Sequence, residues 1–160
     1  MKHTLFLALA LFFAPLLGGC QAFGIGEPDP TWVEYEMSAA SENVLWQVVC
    51  RSLESRRYPL GAGLDPDRLI AQTGWLRSLA PFKGRGYQVR AIVEIEPREG
   101  DLFFIRIRVQ RQNNEALVNP ADPRYAEWVW VPDDETEAKI LMRHIRTYLD
   151  TDIELGDSIQ

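Results

Sequence analysis

The sequence predicts an α+β domain of two layers: an antiparallel sheet of four to five strands with two helices packed on one face. Three observations carry this expectation. Residues 88–96 and 103–110 alternate apolar and polar on either side of a short turn containing Gly100, and period two across such a turn marks a β-hairpin with one buried face. Residues 41–55 and 134–149 instead repeat apolar positions at three- and four-residue spacing, the period of a helix that buries one stripe. The order strand, helix, strands, helix then places both helices on one side of the sheet.

Each element follows from local chemistry. Over residues 32–37 Val33, Tyr35 and Met37 fall on one side and Glu34 and Glu36 on the other, as in an opening edge strand. Ser41 is suited to cap a helix with Val44, Leu45, Val48, Val49 and Leu53 on its apolar face and Gln47, Arg51, Glu54 and Ser55 opposite. Its end is expected before Tyr58-Pro59, because proline drives its predecessor out of the helical region. Gly61, Gly63 and Asp65-Pro66-Asp67 make a turn-rich connection to a strand over residues 69–79, where Gly74 marks a bulge or a close backbone approach. The hairpin points Val89, Ala91, Val93 and Ile95, then Phe103, Ile105, Ile107 and Val109, into the core. A polar loop over residues 112–123 leads to a further strand at 125–131. Asp134 and Glu137 then stand at capping-box spacing before a helix with Ala138, Leu141, Ile145, Tyr148 and Leu149 as its stripe. The acidic residues 151–160 are expected to fray as a tail.

The chain opens with Met1-Lys2-His3-Thr4, an apolar run over residues 5–17, and Leu17-Gly18-Gly19-Cys20. This resembles the lipobox of bacterial lipoproteins. Thirteen helical residues reach only ~20 Å, short of the ~30 Å of a bilayer core, so the run is a signal segment rather than a span. The resemblance implies cleavage between Gly19 and Cys20, diacylation of the Cys20 sulfur and often acylation of the new amino terminus. Two or more acyl chains anchor stably where one does not. In enteric lipoproteins an aspartate after the cysteine favours the inner membrane. Gln21 stands here, which implies the outer membrane and a periplasm-facing domain. Residues 20–31, with Gly24, Gly26, Pro28 and Pro30 and no apolar period, are expected to be the lipidated cysteine and a flexible tether of at most ~40 Å. The single domain then covers 32–150. At the level of element order it resembles small lipid-anchored accessory proteins of outer-membrane assembly, an analogy of fold that does not fix function.

Charge narrows the partners. Cleavage removes Lys2, so 17 basic residues become 16 against 23 acidic ones, a net of -7. Such a chain lacks the basic field that nucleic acid requires. Cys50 is left as the one cysteine not lipidated, which precludes an internal disulfide, and its place on an apolar helical face reads as a buried thiol.

No arrangement carries a catalytic signature. His144 has no nucleophile elbow to pair with, and one histidine with one free cysteine falls short of a zinc site. Residues 150–154 alternate carboxylates like the start of a calcium loop, but Leu155 occupies the glycine position. Asp133-Asp134-Glu135 reads as helix-start charge. Glu94 and Glu96 share the polar sheet face with Arg90, Arg106 and Arg108, an arrangement for cross-strand ion pairs on a wet face or for a polar docking face. Lys83 and Arg85 flank Gly84 in the most basic loop, either a plain turn or an anion contact. Trp75, Trp128 and Trp130 either pack or line a groove, and alternation gives Trp128 and Trp130 the same side. The expected protein is therefore a non-enzymatic, cofactor-free, metal-free envelope lipoprotein. It is held by acyl chains on Cys20 and works as a scaffold or accessory factor through an envelope protein partner. The alternative is a lipid- or glycan-binding module.

Overall fold

In a computed structural model, residues 26–79 and 86–157 are described, with side chains as far as Asp150. The signal segment, the lipobox with Gly19 and Cys20, and the Lys83 and Arg85 loop lie outside the described residues. The chain runs β1 (Val33–Ser38), α1 (Glu42–Ser55), β2 (Leu64–Asp65), β3 (Ile70–Gln72), β4 (Leu76–Ser78), β5 (Tyr87–Pro97), β6 (Leu102–Asn114), β7 (Trp128–Val131) and α2 (Glu135–Asp157), with a 3-10 turn at Pro123–Tyr125 before β7. It is an antiparallel sheet of seven strands with two helices, richer in strands than expected.

The β5–β6 hairpin organises everything else. Its register sets Ala91 against Val109, Val93 against Ile107 and Ile95 against Ile105, and all six are buried. Gly100, at φ 71°, supplies the left-handed residue of the turn. On one side of β6 lie β1, paired with residues 102–107, and β7, paired with residues 111–114. The gap between them is filled by the Asp134 amide, which donates to the Val109 carbonyl at 2.8 Å as the chain enters α2.

The expected single strand over residues 69–79 is two strands. β3 and β4 both pair with β5, and the chain leaves the ladder between them at Thr73–Gly74. Thr73 repairs the interruption: its amide donates to the Ala91 carbonyl at 2.9 Å, and its hydroxyl accepts from the Ala91 amide at 3.0 Å. Gly74 makes the close approach expected of it. Its amide donates to the Pro59 carbonyl at 2.8 Å, and a Cβ there would lie 3.3 Å from the Pro59 ring. β2 is a strand that no periodicity announces, because two residues are too few to show one.

Both helices cover the same face. Leu45, Val48, Val49 and Leu53 of α1 and Ala138, Leu141, Ile145 and Leu149 of α2 are buried with the inward residues of the hairpin. Ser41 caps α1 by accepting from the Val44 amide. The helix ends in a Schellman pattern: the Tyr58 amide donates to the Leu53 carbonyl and the Arg57 amide to the Glu54 carbonyl, with Arg57 itself at φ 64°. Asp134 caps α2 by accepting from the Glu137 amide at 3.0 Å. The reciprocal half of the capping box is not made. Glu137 turns instead to Arg56, whose Nη2 lies 2.7 Å from its Oε2, and so ties the start of α2 to the end of α1. The backbone of α2 continues to Asp157, past the expected fraying point at Asp150.

Tyr58 is buried beside Glu137. Burial, with the neighbouring carboxylate, pushes its phenol far above the ordinary value of 10.0. A raised folded pKa means that the neutral phenol contributes stability in full below the unfolded pKa and loses it as pH rises above. Tyr58→Phe is therefore expected to flatten the loss of stability above pH 10.0, read from urea midpoints across the alkaline range. An unchanged slope would mean that the phenol ionises freely.

Candidate functional site

Outward residues of β5 and β6 form the face that the helices leave open. Toward β7 the expected wet surface is instead a packed polar layer, in which Gln88, Arg108, Gln110, Gln112 and Asn114 are all buried, whereas toward the hairpin turn Glu94, Glu96 and Arg106 stay partly exposed. Burying such groups is tolerable only when they are hydrogen-bonded. Gln88 donates to Gln112, Arg77 donates to Gln88 at 3.0 Å, and Arg90 donates to Gln110.

Two things cover this layer. One is the pair Trp75 and Trp130, whose ring centroids are 5.8 Å apart at an interplanar angle of 57°. Trp130 lies opposite Gln112, and Trp75 precedes β4 on the far side of β5. Their rings can meet only by reaching over the Gln88–Gln112 pair between them. Arg90 lies 4.8 Å above the Trp75 ring, a cation–π contact on the same roof. Trp128, opposite Asn114, shares this side and is half-buried. The structure thus brings Trp75, Trp130 and Arg90 together as packing. Desolvation there lowers the pKa of the Arg90 guanidinium, which Arg108 lowers further and Glu27 partly restores.

The other cover was expected to be a free tether. Residues 27–32 lie along β6 as a strap. Glu27 accepts from Gln110 and pairs with Arg108 at 2.7 Å, and the Pro28 carbonyl faces Arg108. The Thr31 amide donates to Asp133 Oδ2 at 2.8 Å, and Arg106 stacks 4.9 Å over Trp32. Residues 27–31 of the expected tether are therefore bound to the domain rather than free, because the sheet offers Glu27 two donors and Asp133 gives Thr31 a carboxylate.

Asp133 is the hub of this arrangement. Its side chain is 1% exposed and accepts from Arg108 Nε at 2.6 Å as well as from Thr31. Burial works to lower the Arg108 pKa, but Asp133 and Glu27 more than offset it, and the net shift is upward. Asp134 makes the cap expected of it and also meets Arg111 at 3.0 Å, whereas Asp133, expected to add charge to the start of α2, turns to the sheet. The expected ion pairs on this face are partly made: Glu94 holds Arg106, whereas Glu96 meets Arg98 at 3.2 Å.

Cys50 and His144 lie on the helices, away from this layer. Cys50 is half-buried rather than buried, and burial, with Glu54 adding to it, raises its thiol pKa, which keeps it from acting as a thiolate. His144 stands edge-on to Tyr148 at 6.2 Å. Among the described residues no group of three or more His, Cys, Asp or Glu is placed to hold a metal ion. No helix of the described residues is long and apolar enough to cross a membrane.

The edge strand β1 borders a different feature. It pairs on one side only among the described residues, with β6. Along it runs a cleft of about 310 Å³ walled by residues 35–38 of β1 and by Arg146, Leu149 and Asp150 of α2. Arg146 stacks 4.5 Å over the exposed ring of Tyr35 in that cleft. Compared with known proteins, the chain matches no family model, and no curated protein is significantly similar to it.

Proposed function

We propose that the protein is a non-enzymatic, lipid-anchored protein of the bacterial cell envelope that works through protein contacts, with β1 as its docking edge. The open edge of β1 carries this reading. A six-residue strand paired on one side presents unmatched backbone donors and acceptors to an incoming extended segment. The cleft between β1 and α2 gives such a segment a place for a side chain on the helix side of the strand, and Glu34 and Glu36 on the opposite side favour basic residues at the alternate positions. The signal segment and lipobox of the sequence support the anchor and the outer-membrane, periplasm-facing location. The second reading, a lipid- or glycan-binding module, draws on the Trp75–Arg90–Trp130 stack. That stack is already filled by its own members.

A photo-cross-linking residue at Glu36 of the full-length protein, in its own membranes, tests the edge. One defined protein adduct is expected there and none from the same probe at Glu99 in the hairpin turn. Cys20→Ser is expected to move the protein out of the membrane fraction and to abolish the adduct. Equal labelling at both positions would refute the docking edge, and membrane retention of Cys20→Ser would refute the anchor.

A further inference from the structure

We infer that the loop over residues 115–127 is a second membrane contact, with Leu117 and Val118 entering the bilayer interface beside the acylated Cys20. The inference rests on the lipid-anchor reading above and adds to it an orientation and a lipid-facing site.

The loop displays apolar side chains without burying them. Leu117 is 96% exposed, Val118 69% and Tyr125 51%, the three most exposed large apolar residues described. Scattered apolar exposure alone means little. This loop, however, is held in place to make the display. Asn114, itself buried, donates to the Pro120 carbonyl at 2.9 Å and accepts from the Ala116 and Glu127 amides at 3.1 and 3.0 Å. The Glu115 amide donates to the Glu127 carbonyl at 2.9 Å and closes the base of the loop. At the tip Asp122 and Arg124 neutralise each other at 2.7 Å. Tyr125 beside them has the apolar body and polar end that suit a headgroup boundary.

The strap tells which end of the domain faces the anchor. Passing backwards from Trp32 to Glu27, the strap advances along β6 from Arg106 to Gln110. The next outward positions of β6 are Gln112 and Asn114, and after them comes this loop. At its Glu27 end the strap therefore points toward the loop. Cys20 is seven residues before Glu27, at most ~24 Å of extended chain. Gln110 is only ~14 Å from Asn114 along the strand, but ~34 Å from the hairpin turn at Gly100. A short leash from the loop end brings Leu117 and Val118 to the surface in which the acyl chains sit, and holds the hairpin turn away from it. Two apolar side chains are too few for a stable protein interface but are ample to add to an anchor already in place.

The test uses the mature acylated protein purified from its own membranes with Cys50→Ala, so that an environment-sensitive fluorophore can be placed at Val118→Cys or, for comparison, at Glu99→Cys. Each is reconstituted into phosphatidylethanolamine–phosphatidylglycerol vesicles, with and without lipids carrying a nitroxide near the headgroup, and the intact mass reports acylation. Blue-shifted emission and several-fold stronger nitroxide quenching at 118 than at 99 are the expected result. Leu117→Asp in the Val118→Cys protein should reverse both changes. Acylated protein with equal or no quenching at the two positions would overturn the membrane contact and leave the anchor standing. A mass without acyl groups would overturn the anchor itself, and the second contact with it.

Discussion

Asp133→Ala is expected to lower the free energy of unfolding by about 3 kcal/mol, the lower end of what breaking a buried ion pair costs, and to detach the strap from the sheet. The cost arises less from the lost attraction than from what is left behind. Arg108 has a side chain only 9% exposed, and its Nε would face the space left by the carboxylate with no acceptor at 2.6 Å. Glu27 still reaches Arg108 Nη2 at 2.7 Å, which is why the lower end applies. Glu27 itself is 40% exposed at the side chain, so it alone screens the guanidinium poorly. Asp133→Asn should fall between, since an amide oxygen can still accept from the Thr31 amide but carries no charge for Arg108. Urea unfolding measures the energy, and hydrogen exchange of the segment 27–33 measures the strap. A loss below about 1 kcal/mol, the worth of an exposed pair, with unchanged exchange would mean that the network is incidental to stability.

The strap also explains how far the sequence could be read. Period two in β5 and β6 is a property of neighbours in the chain, so the hairpin and its buried residues were legible, as were the stripes of α1 and α2. Thr31 and Asp133 are separated by 102 positions, and Glu27 and Gln110 by 83. No local pattern reports such a meeting, and Gly- and Pro-rich residues 20–31 read as a tether for want of any period. Asp133 shows the same limit from the other side. Adjacent to the cap Asp134, it reads locally as helix-start charge, and only the folded chain shows that this carboxylate turns to the sheet. The break at Thr73–Gly74 was half legible. Gly74 signalled irregular backbone, but the hydroxyl that satisfies the Ala91 amide belongs to a residue whose β-branched type also suits an unbroken strand.

The two faces of β6 make a second large effect predictable. Ile107→Ala should cost about 4 kcal/mol, within the range for deleting a buried isoleucine side chain. Ile107 is fully buried and stands between Val33 of β1 and Val93 of β5 in the register. Strands hydrogen-bonded on both sides hold its backbone in place, so the cavity has little means of collapsing, and the cost falls in the upper part of the range. Its neighbours Arg106 and Arg108 point the other way, into the strap. Measured at the same urea concentrations, Ile107→Ala should therefore lose global stability while segment 27–33 keeps its native-state protection relative to that lower stability. Asp133→Ala should instead lose protection there by local opening. If Ile107→Ala also opens the strap locally, the strap draws its stability from the packing beneath the sheet. If it does not, the polar network alone holds it, and the orientation proposed for the domain at the membrane would depend on the Asp133–Arg108–Glu27 contacts rather than on the core.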